Sequence, residues 1–209
     1  MQVAAGAEAV IETATYLDRA VLVKRRIAKP YRHAALDARL RDERTRDEAN
    51  LLLSCRRAGL PVPIVYDVDR TGATITLQHV AGPALRDVLP LDDDATAAAR
   101  LRHLGALVAR MHDAGVTHGD LTTSNVLVPD AADSASLVLI DFGLGQATKE
   151  EEPRGVDLHL VEEALEATDA RAEALMAAFL DGYGQAPEAE ATVRRLEAIR
   201  LRGRYRDAT

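Results

Sequence analysis

The stretch His118-Gly119-Asp120-Leu121-Thr122-Thr123-Ser124-Asn125 sets a carboxylate and an amide five residues apart. Sixteen residues beyond Asn125 stands Asp141-Phe142-Gly143, preceded by the apolar run Leu137-Val138-Leu139-Ile140. The first stretch reads as a loop. The second reads as a short buried strand that delivers a carboxylate at its end. Phosphoryl transfer needs this set of groups. A metal-held triphosphate asks for an aspartate and a neutral oxygen donor as magnesium ligands, here Asp141 and Asn125. A further aspartate, Asp120, would orient or deprotonate the attacking hydroxyl or water. Either motif alone is an ordinary turn; their order and the apolar run between them carry the reading.

His-x-Asp-x-x-x-x-Asn followed by Asp-Phe-Gly is the catalytic half of the protein-kinase signature, so the phosphate-gripping half belongs upstream. The chain has only three lysines, Lys24, Lys29 and Lys149, which leaves few choices for a catalytic one. Lys24 follows Val21-Leu22-Val23, the β-branched setting of a lysine that grips α- and β-phosphates. Glu48 lies on a strongly charged helical segment and directly abuts the apolar run Ala49-Asn50-Leu51-Leu52-Leu53. It is the expected partner of Lys24, with Glu43 as its rival. Gly6-Ala7-Glu8 is the turn that would close over the phosphates through backbone N–H groups, although it holds one glycine and not three. Gln78 and Val80, in the stretch Gln78-His79-Val80-Ala81-Gly82-Pro83, would supply backbone partners for adenine at a hinge, with His79 as surface lining.

Around these residues the patterning predicts positioning elements. Residues 2–15 read as strand–turn–strand and 20–26 as a strand. Residues 30–58 read as helical, ended by Gly59 and the prolines Pro61 and Pro63. Residues 64–68 and 73–77 form a hairpin around Asp69–Gly72. Residues 92–115 are expected to be the longest helix, capped by Asp92 to Asp94 and packed through Leu101, Leu104, Val108 and Met111. His112 near its end is read as favouring the helix dipole. At 209 residues with a net charge of −7, the chain is one globular domain or two small lobes and not a generally basic nucleic-acid binder. Its basic residues are nevertheless clustered: Arg194, Arg195, Arg200, Arg202, Arg204 and Arg206 crowd the last sixteen residues. The lone Cys55 is a core residue in a reducing compartment, and no apolar run is long enough to span a membrane, so a cytoplasmic location is expected.

The chain departs from a protein kinase after Gly143. Residues 144–153 form only a short acidic link before the next helix, with no long activation segment and no Ala-Pro-Glu motif. Two further helices, near 169–182 and 187–201, precede an arginine tail. The expected architecture is α+β and kinase-like: a small five-stranded N-lobe over residues 1–78, a reduced helical C-lobe over 79–199 and a basic tail over 200–209. Without a peptide-holding lobe, water can take the place of a protein hydroxyl, which favours ATP hydrolysis.

Taken together, the catalytic loop with its Thr-Thr-Ser insert resembles the small atypical kinases of the KEOPS complex, the PRPK-like family. Supporting matches are Gly6-Ala7-Glu8-Ala9, Arg44-Thr45-Arg46 before Glu48-Ala49, Gly59-Leu60-Pro61-Val62-Pro63, Val156-Asp157-Leu158 and Arg202-Gly203-Arg204. The resemblance implies a serine/threonine kinase acting mainly as an ATPase with ATP and Mg2+, in support of threonylcarbamoyladenosine modification of tRNA. It implies Lys24 on phosphates, Glu48 orienting Lys24, Asp120 as base, Asn125 and Asp141 on magnesium, and Asp157 bracing the catalytic loop. The implied partners are a threonylcarbamoyl-transferase subunit, a small subunit docked on the N-lobe, and tRNA reached by Arg200, Arg202, Arg204 and Arg206. Two other classes use similar equipment or none of it. One is a small-molecule phosphotransferase of the aminoglycoside or choline type, and the other a non-catalytic RNA-binding scaffold.

Overall fold

The computed structural model describes residues 2–5, 9–185 and 189–207, with side chains described for 9–185 and 189–202. Five antiparallel strands build the N-terminal sheet: β1 (Gln2–Ala5), β2 (Ala9–Tyr16), β3 (Arg19–Arg26), β4 (Val65–Asp69) and β5 (Thr74–Gln78). Their spatial order is β1-β2-β3-β5-β4, so β3 is the central strand. Lys24 is paired with Ile11 on one side and Ile75 on the other. Side chains alternate along a strand, so Leu22, Lys24 and Arg26 share one face of β3. Helix α1 (Ala34–Arg57) crosses that face. It buries Glu48, Ala49, Leu51, Leu52 and Cys55 on one stripe, the spacing that places successive turns above one another. At 24 residues it is longer than the 20-residue α3 (Asp94–Asp113), which had been expected to be the longest.

The segment after β5 leads through a short α2 (Leu85–Val88) into α3. Asp93 caps α3 by accepting from the Thr96 N–H at 2.7 Å, while Asp92 turns inward to the fully buried Arg100 at 2.7 Å. Leu101, Leu104, Val108 and Met111 are all buried, and each such side chain contributes about 1.5–3 kcal/mol when withdrawn from water. Two short antiparallel ladders follow: β6 (Val116–Thr117) with β9 (Gln146–Ala147), and β7 (Val126–Leu127) with β8 (Val138–Leu139). They hold the two motif loops side by side.

Helix α4 (Glu151–Thr168) opens earlier than expected, within the last residues of the link read over 144–153. Glu151 and Glu152 stabilise its positive N-terminal end, and a proline in the first turn removes no helical hydrogen bond. Helices α5 (Ala172–Tyr183) and α6 (Ala189–Asp207) complete the C-lobe. The arginine-rich end is the continuation of α6 and not an extended tail. One core cluster joins α1 to α6 and reaches under both ladders. Among the described residues no helix is long and apolar enough to cross a membrane.

The tightest packing in the C-lobe is the meeting of α3 and α5 at two glycines. A Cβ on Gly105 would lie 2.0 Å from the Phe179 carbonyl oxygen, and one on Gly182 would lie 1.9 Å from the Arg102 carbonyl oxygen. Backbone meets backbone there, and no flexible side chain can give way. Gly105→Ala is expected to destabilise the fold by about 1–3 kcal/mol through overpacking. Chemical unfolding would read this as a lowered midpoint, and an unchanged midpoint would show that the two helices can separate without cost.

Candidate active site

Lys24 Nζ lies 2.7 Å from Glu48 Oε1 and 2.7 Å from Asp141 Oδ1. These three groups come from β3, α1 and the end of the β8 strand run. Burial alone would pull the Lys24 pKa down, but the two carboxylates outweigh it and hold the ammonium above its ordinary range. Burial would likewise raise Asp141; the Lys24 charge and the Gly143 N–H outweigh it and hold the carboxyl below its ordinary value. Glu43, the rival for Glu48, faces solvent and binds Arg39 at 2.8 Å. Arg26 completes the cluster: its Nη2 donates to Glu48 Oε2 at 2.5 Å and to the Arg44 carbonyl at 3.3 Å. The sequence pattern contained this signal, because Arg26 follows Lys24 by the two-residue period of a strand.

Asp141 adopts a left-handed backbone with φ of 62°. That conformation costs roughly 1–3 kcal/mol for a non-glycine residue and persists where neighbours over-determine it. Here the Lys24 pair and the Gly143 N–H, 3.3 Å from Oδ1, hold it. Phe142 is buried against the His118 ring at 4.6 Å between centroids. His118 Nε2 donates to the Ile140 carbonyl at 2.9 Å, and its Nδ1 accepts from the Asp120 N–H at 3.3 Å. The imidazole thus stitches the two motifs together and is itself withdrawn from chemistry.

Asp157 braces the catalytic loop by accepting from the N–H groups of His118 at 2.7 Å and Gly119 at 2.8 Å. Its Oδ2 also lies 3.1 Å from His112 Nε2, whose Nδ1 is 2.8 Å from the Tyr183 hydroxyl. His112 is therefore a buried bridge between α3, α4 and α5, in place of the expected helix-dipole residue. Gly119 has φ of 76°, and a Cβ there would stand 2.2 Å from the Leu144 carbonyl oxygen, so only glycine lets the loop pass this close. The turn presents Asp120, whose Oδ2 accepts from Asn125 Nδ2 at 2.9 Å. Asn125 Nδ2 also donates to the Asp120 carbonyl at 2.8 Å. With both amide protons used within the loop, the Asn125 oxygen is the group left for a ligand.

A cleft of about 260 Å³ runs between the lobes. Ile11, Leu22, Leu77, Leu127 and Ile140 form apolar walls, and Lys24, Glu48, Gln78, Asn125 and Asp141 supply polar lining. Such an apolar slot with few polar groups suits a flat heterocycle. Asn125 and Asp141 fit a hard cation such as Mg2+, which takes amide and carboxylate oxygens and keeps other positions for phosphate and water. Among the described residues there is no cluster of three or more His, Cys, Asp and Glu able to hold a metal unaided. Val80 also lines the cleft. The Gln78 N–H, however, donates to the Ile64 carbonyl at 2.8 Å, so of the expected adenine partners at Gln78 only the carbonyl is available. Gly6, Ala7 and Glu8 lie outside the described residues. Arg200 and Arg202 do not line the cleft and are paired on α4, Arg200 Nε with Glu162 at 2.8 Å and Arg202 with Glu152 at 2.6 Å. Arg204 and Arg206 continue α6, their side chains outside the described set.

The Lys24–Asp141 pair makes stability pH-dependent. The contribution from a depressed Asp141 is present above the ordinary aspartate pKa of about 3.9 and is lost as pH falls through the lowered value. Asp141→Asn should therefore flatten the acid limb of the unfolding midpoint against pH. An acid limb identical to that of the parent chain would deny the pair any role in stability.

Comparison with known proteins bears on the family and the fold. Residues 5–183 match the model of the lipopolysaccharide kinase (Kdo/WaaP) family. The chain is 46% identical over 202 residues to a probable bifunctional tRNA threonylcarbamoyladenosine biosynthesis protein of Halobacterium salinarum, covering 97% of this chain and 35% of that protein. It thus spans about a third of the length of the archaeal relatives. It is 38% identical over 208 residues to the EKC/KEOPS complex subunit Tp53rkb of Mus musculus, covering 96% of this chain and 85% of that protein. The fold matches the Rio2 kinase of Chaetomium thermophilum, solved as an ADP/Mg2+-phosphoaspartate complex, with a TM-score of 0.66 at 18% identity over 97% of this chain and 70% of that one. By likeness over nearly its whole length, the chain belongs to the lipopolysaccharide kinase (Kdo/WaaP) family and to the family of the EKC/KEOPS complex subunit that the mouse relative represents.

Proposed function

We propose that this chain is an atypical kinase and ATPase that hydrolyses Mg-ATP in support of tRNA threonylcarbamoyladenosine modification, as a subunit of a KEOPS-type complex. The observation that carries the reading is the convergence of Lys24, Glu48 and Asp141 on one cleft, with Lys24 Nζ 2.7 Å from both carboxylates. Lys24 would grip the α- and β-phosphates while Glu48 holds it in place. Asn125 and Asp141 would hold Mg2+, which when bound neutralises the charge building on the transferring phosphoryl group. Asp120, fixed by Asn125, would orient the attacking water and accept its proton. The Gln78 carbonyl and Val80 would meet adenine, and Gly6, Ala7 and Glu8 would cover the phosphates. Gln78, Val80, Asn125 and Asp141 all line the same cleft, which supports that division of labour.

Hydrolysis is favoured over protein phosphorylation because helix α4 begins at Glu151, directly after a link too short to seat a peptide. The partners would be a threonylcarbamoyl-transferase subunit, a small subunit on the N-lobe, and tRNA. Contact with tRNA would fall to Arg200, Arg202, Arg204 and Arg206 on α6. Because Glu152 and Glu162 already pair with two of these, RNA phosphates would have to displace glutamates.

Steady-state phosphate release tests the enzymatic part. Turnover should be slow for the isolated chain, should rise on adding both the transferase subunit and tRNA, and should vanish in Asp141→Ala. Assembly-dependent tRNA modification that survives Asp141→Ala would instead favour the scaffold. For the RNA part, Arg200→Ala with Arg202→Ala should weaken tRNA binding and reduce the salt slope by about 0.7–0.9 per lost phosphate contact. Unchanged affinity would remove α6 from the RNA surface.

A further inference from the structure

Upstream of Ala49, α1 has almost no apolar anchor. Leu36 is half exposed, Leu40 is only partly buried, and the buried α1 residues before Ala49 are Asp37, Thr45 and Glu48. Polar contacts therefore set the position of this half of the helix. Arg70 and Asp42 are mostly solvent-facing, and such exposed pairs are screened and contribute little. Arg26 differs: it is 6% exposed and joins β3 to two successive turns of α1, at the Glu48 carboxylate and the Arg44 carbonyl. Its guanidinium also lies against the second motif, 3.6 Å from where a Cβ on Gly143 would stand.

We propose that Arg26 is a positioning residue that locks Glu48, and through it Lys24, in the nucleotide-ready geometry, replacing the activation segment this chain lacks. In protein kinases the placement of the equivalent helix, and thus of the lysine–glutamate pair, is controlled by activation-loop phosphorylation. Here a second buried cation on the same strand face holds Glu48 by its other oxygen. The Lys24–Glu48 bond is therefore not alone in holding the helix against the sheet. Arg26 also shares the negative charge of Glu48, which leaves more of the Lys24 charge directed at phosphate. Glu48 thus stays in place when the Lys24–Asp141 contact is traded for nucleotide and metal.

This inference rests on the Mg-ATP reading, and the experiment separates the two. Mg-ADP binding is titrated calorimetrically on the full chain and on Arg26→Met and Arg26→Lys, with phosphate release measured in parallel. Loss of the lock lowers the competent fraction, and apparent affinity falls by that fraction, so Arg26→Met should raise Kd and KM about tenfold while leaving kcat at saturating ATP within about twofold. Arg26→Lys, which reaches one of the two acceptors, should fall between. In a Glu48→Gln background the Arg26→Met change should shift Kd by less than about twofold, because the two residues act as a unit. Folded Arg26→Met binding Mg-ADP as the parent does, with only a lowered Tm, would make Arg26 merely structural and overturn the proposal. If Arg26→Met does not fold, parent-like KM in Arg26→Lys overturns it equally. A parent chain that binds no Mg-ADP would fail the nucleotide reading itself.

Discussion

A buried ammonium cannot remain charged in an apolar cleft without carboxylates beside it, and Lys24 has two. They come from positions 24 and 117 residues away in the chain, so satisfying one lysine draws the sheet, α1 and the second motif loop together. Removing Glu48, whose side chain is 1% exposed, would leave an uncompensated buried charge, a change that typically costs about 3–5 kcal/mol, whereas Asp141, 45% exposed, is screened by water and contributes less. The cleft between the lobes is thus a consequence of where this charge is balanced. The same groups that hold the closed geometry are those a metal-bound nucleotide would engage.

The catalytic loop depends on a second buried polar network. Asp157 spends one carboxylate on the N–H groups of His118 and Gly119 and on His112, and His112 passes the connection on to Tyr183. Tyr183 lies on α5, which is pressed against α3 at Gly105 and Gly182. Packing in the helical lobe therefore reaches Asp120 and Asn125 through hydrogen bonds that leave little slack. The loop's N–H groups at His118 and Gly119 are answered from below by the Asp157 carboxylate.

At the far end of the molecule, α6 shows how one feature can carry opposite charges in balance. Arg195, Arg200 and Arg202 lie along α4, where Glu152 and Glu162 neutralise them. A net charge of −7 is consistent with such masking. Under the proposed RNA contact, nucleic acid would meet a surface whose cations must change partner, which favours reversible and salt-sensitive contact.

The motifs, the strand carrying Lys24 and the helix carrying Glu48 were legible in the sequence, because local pattern decides them: a period of two for β3, an apolar stripe for α1, and turn residues around Asp120 and Asp141. The kinase-like α+β class followed from their order. What stayed out of reach was set by contacts distant in sequence. The period of β3 put Arg26 on the same face as Lys24, but its partners, the Glu48 carboxylate and the Arg44 carbonyl, came only with packing. His112 read as a helix-end residue until Asp157 and Tyr183 arrived from two other helices. The Gln78 N–H was committed by Ile64, and Arg200 and Arg202 by glutamates of α4. Local spacing determines which elements form and which residues share a face; which buried charge meets which partner is decided only when those elements pack, since burial is what makes an unpaired charge intolerable.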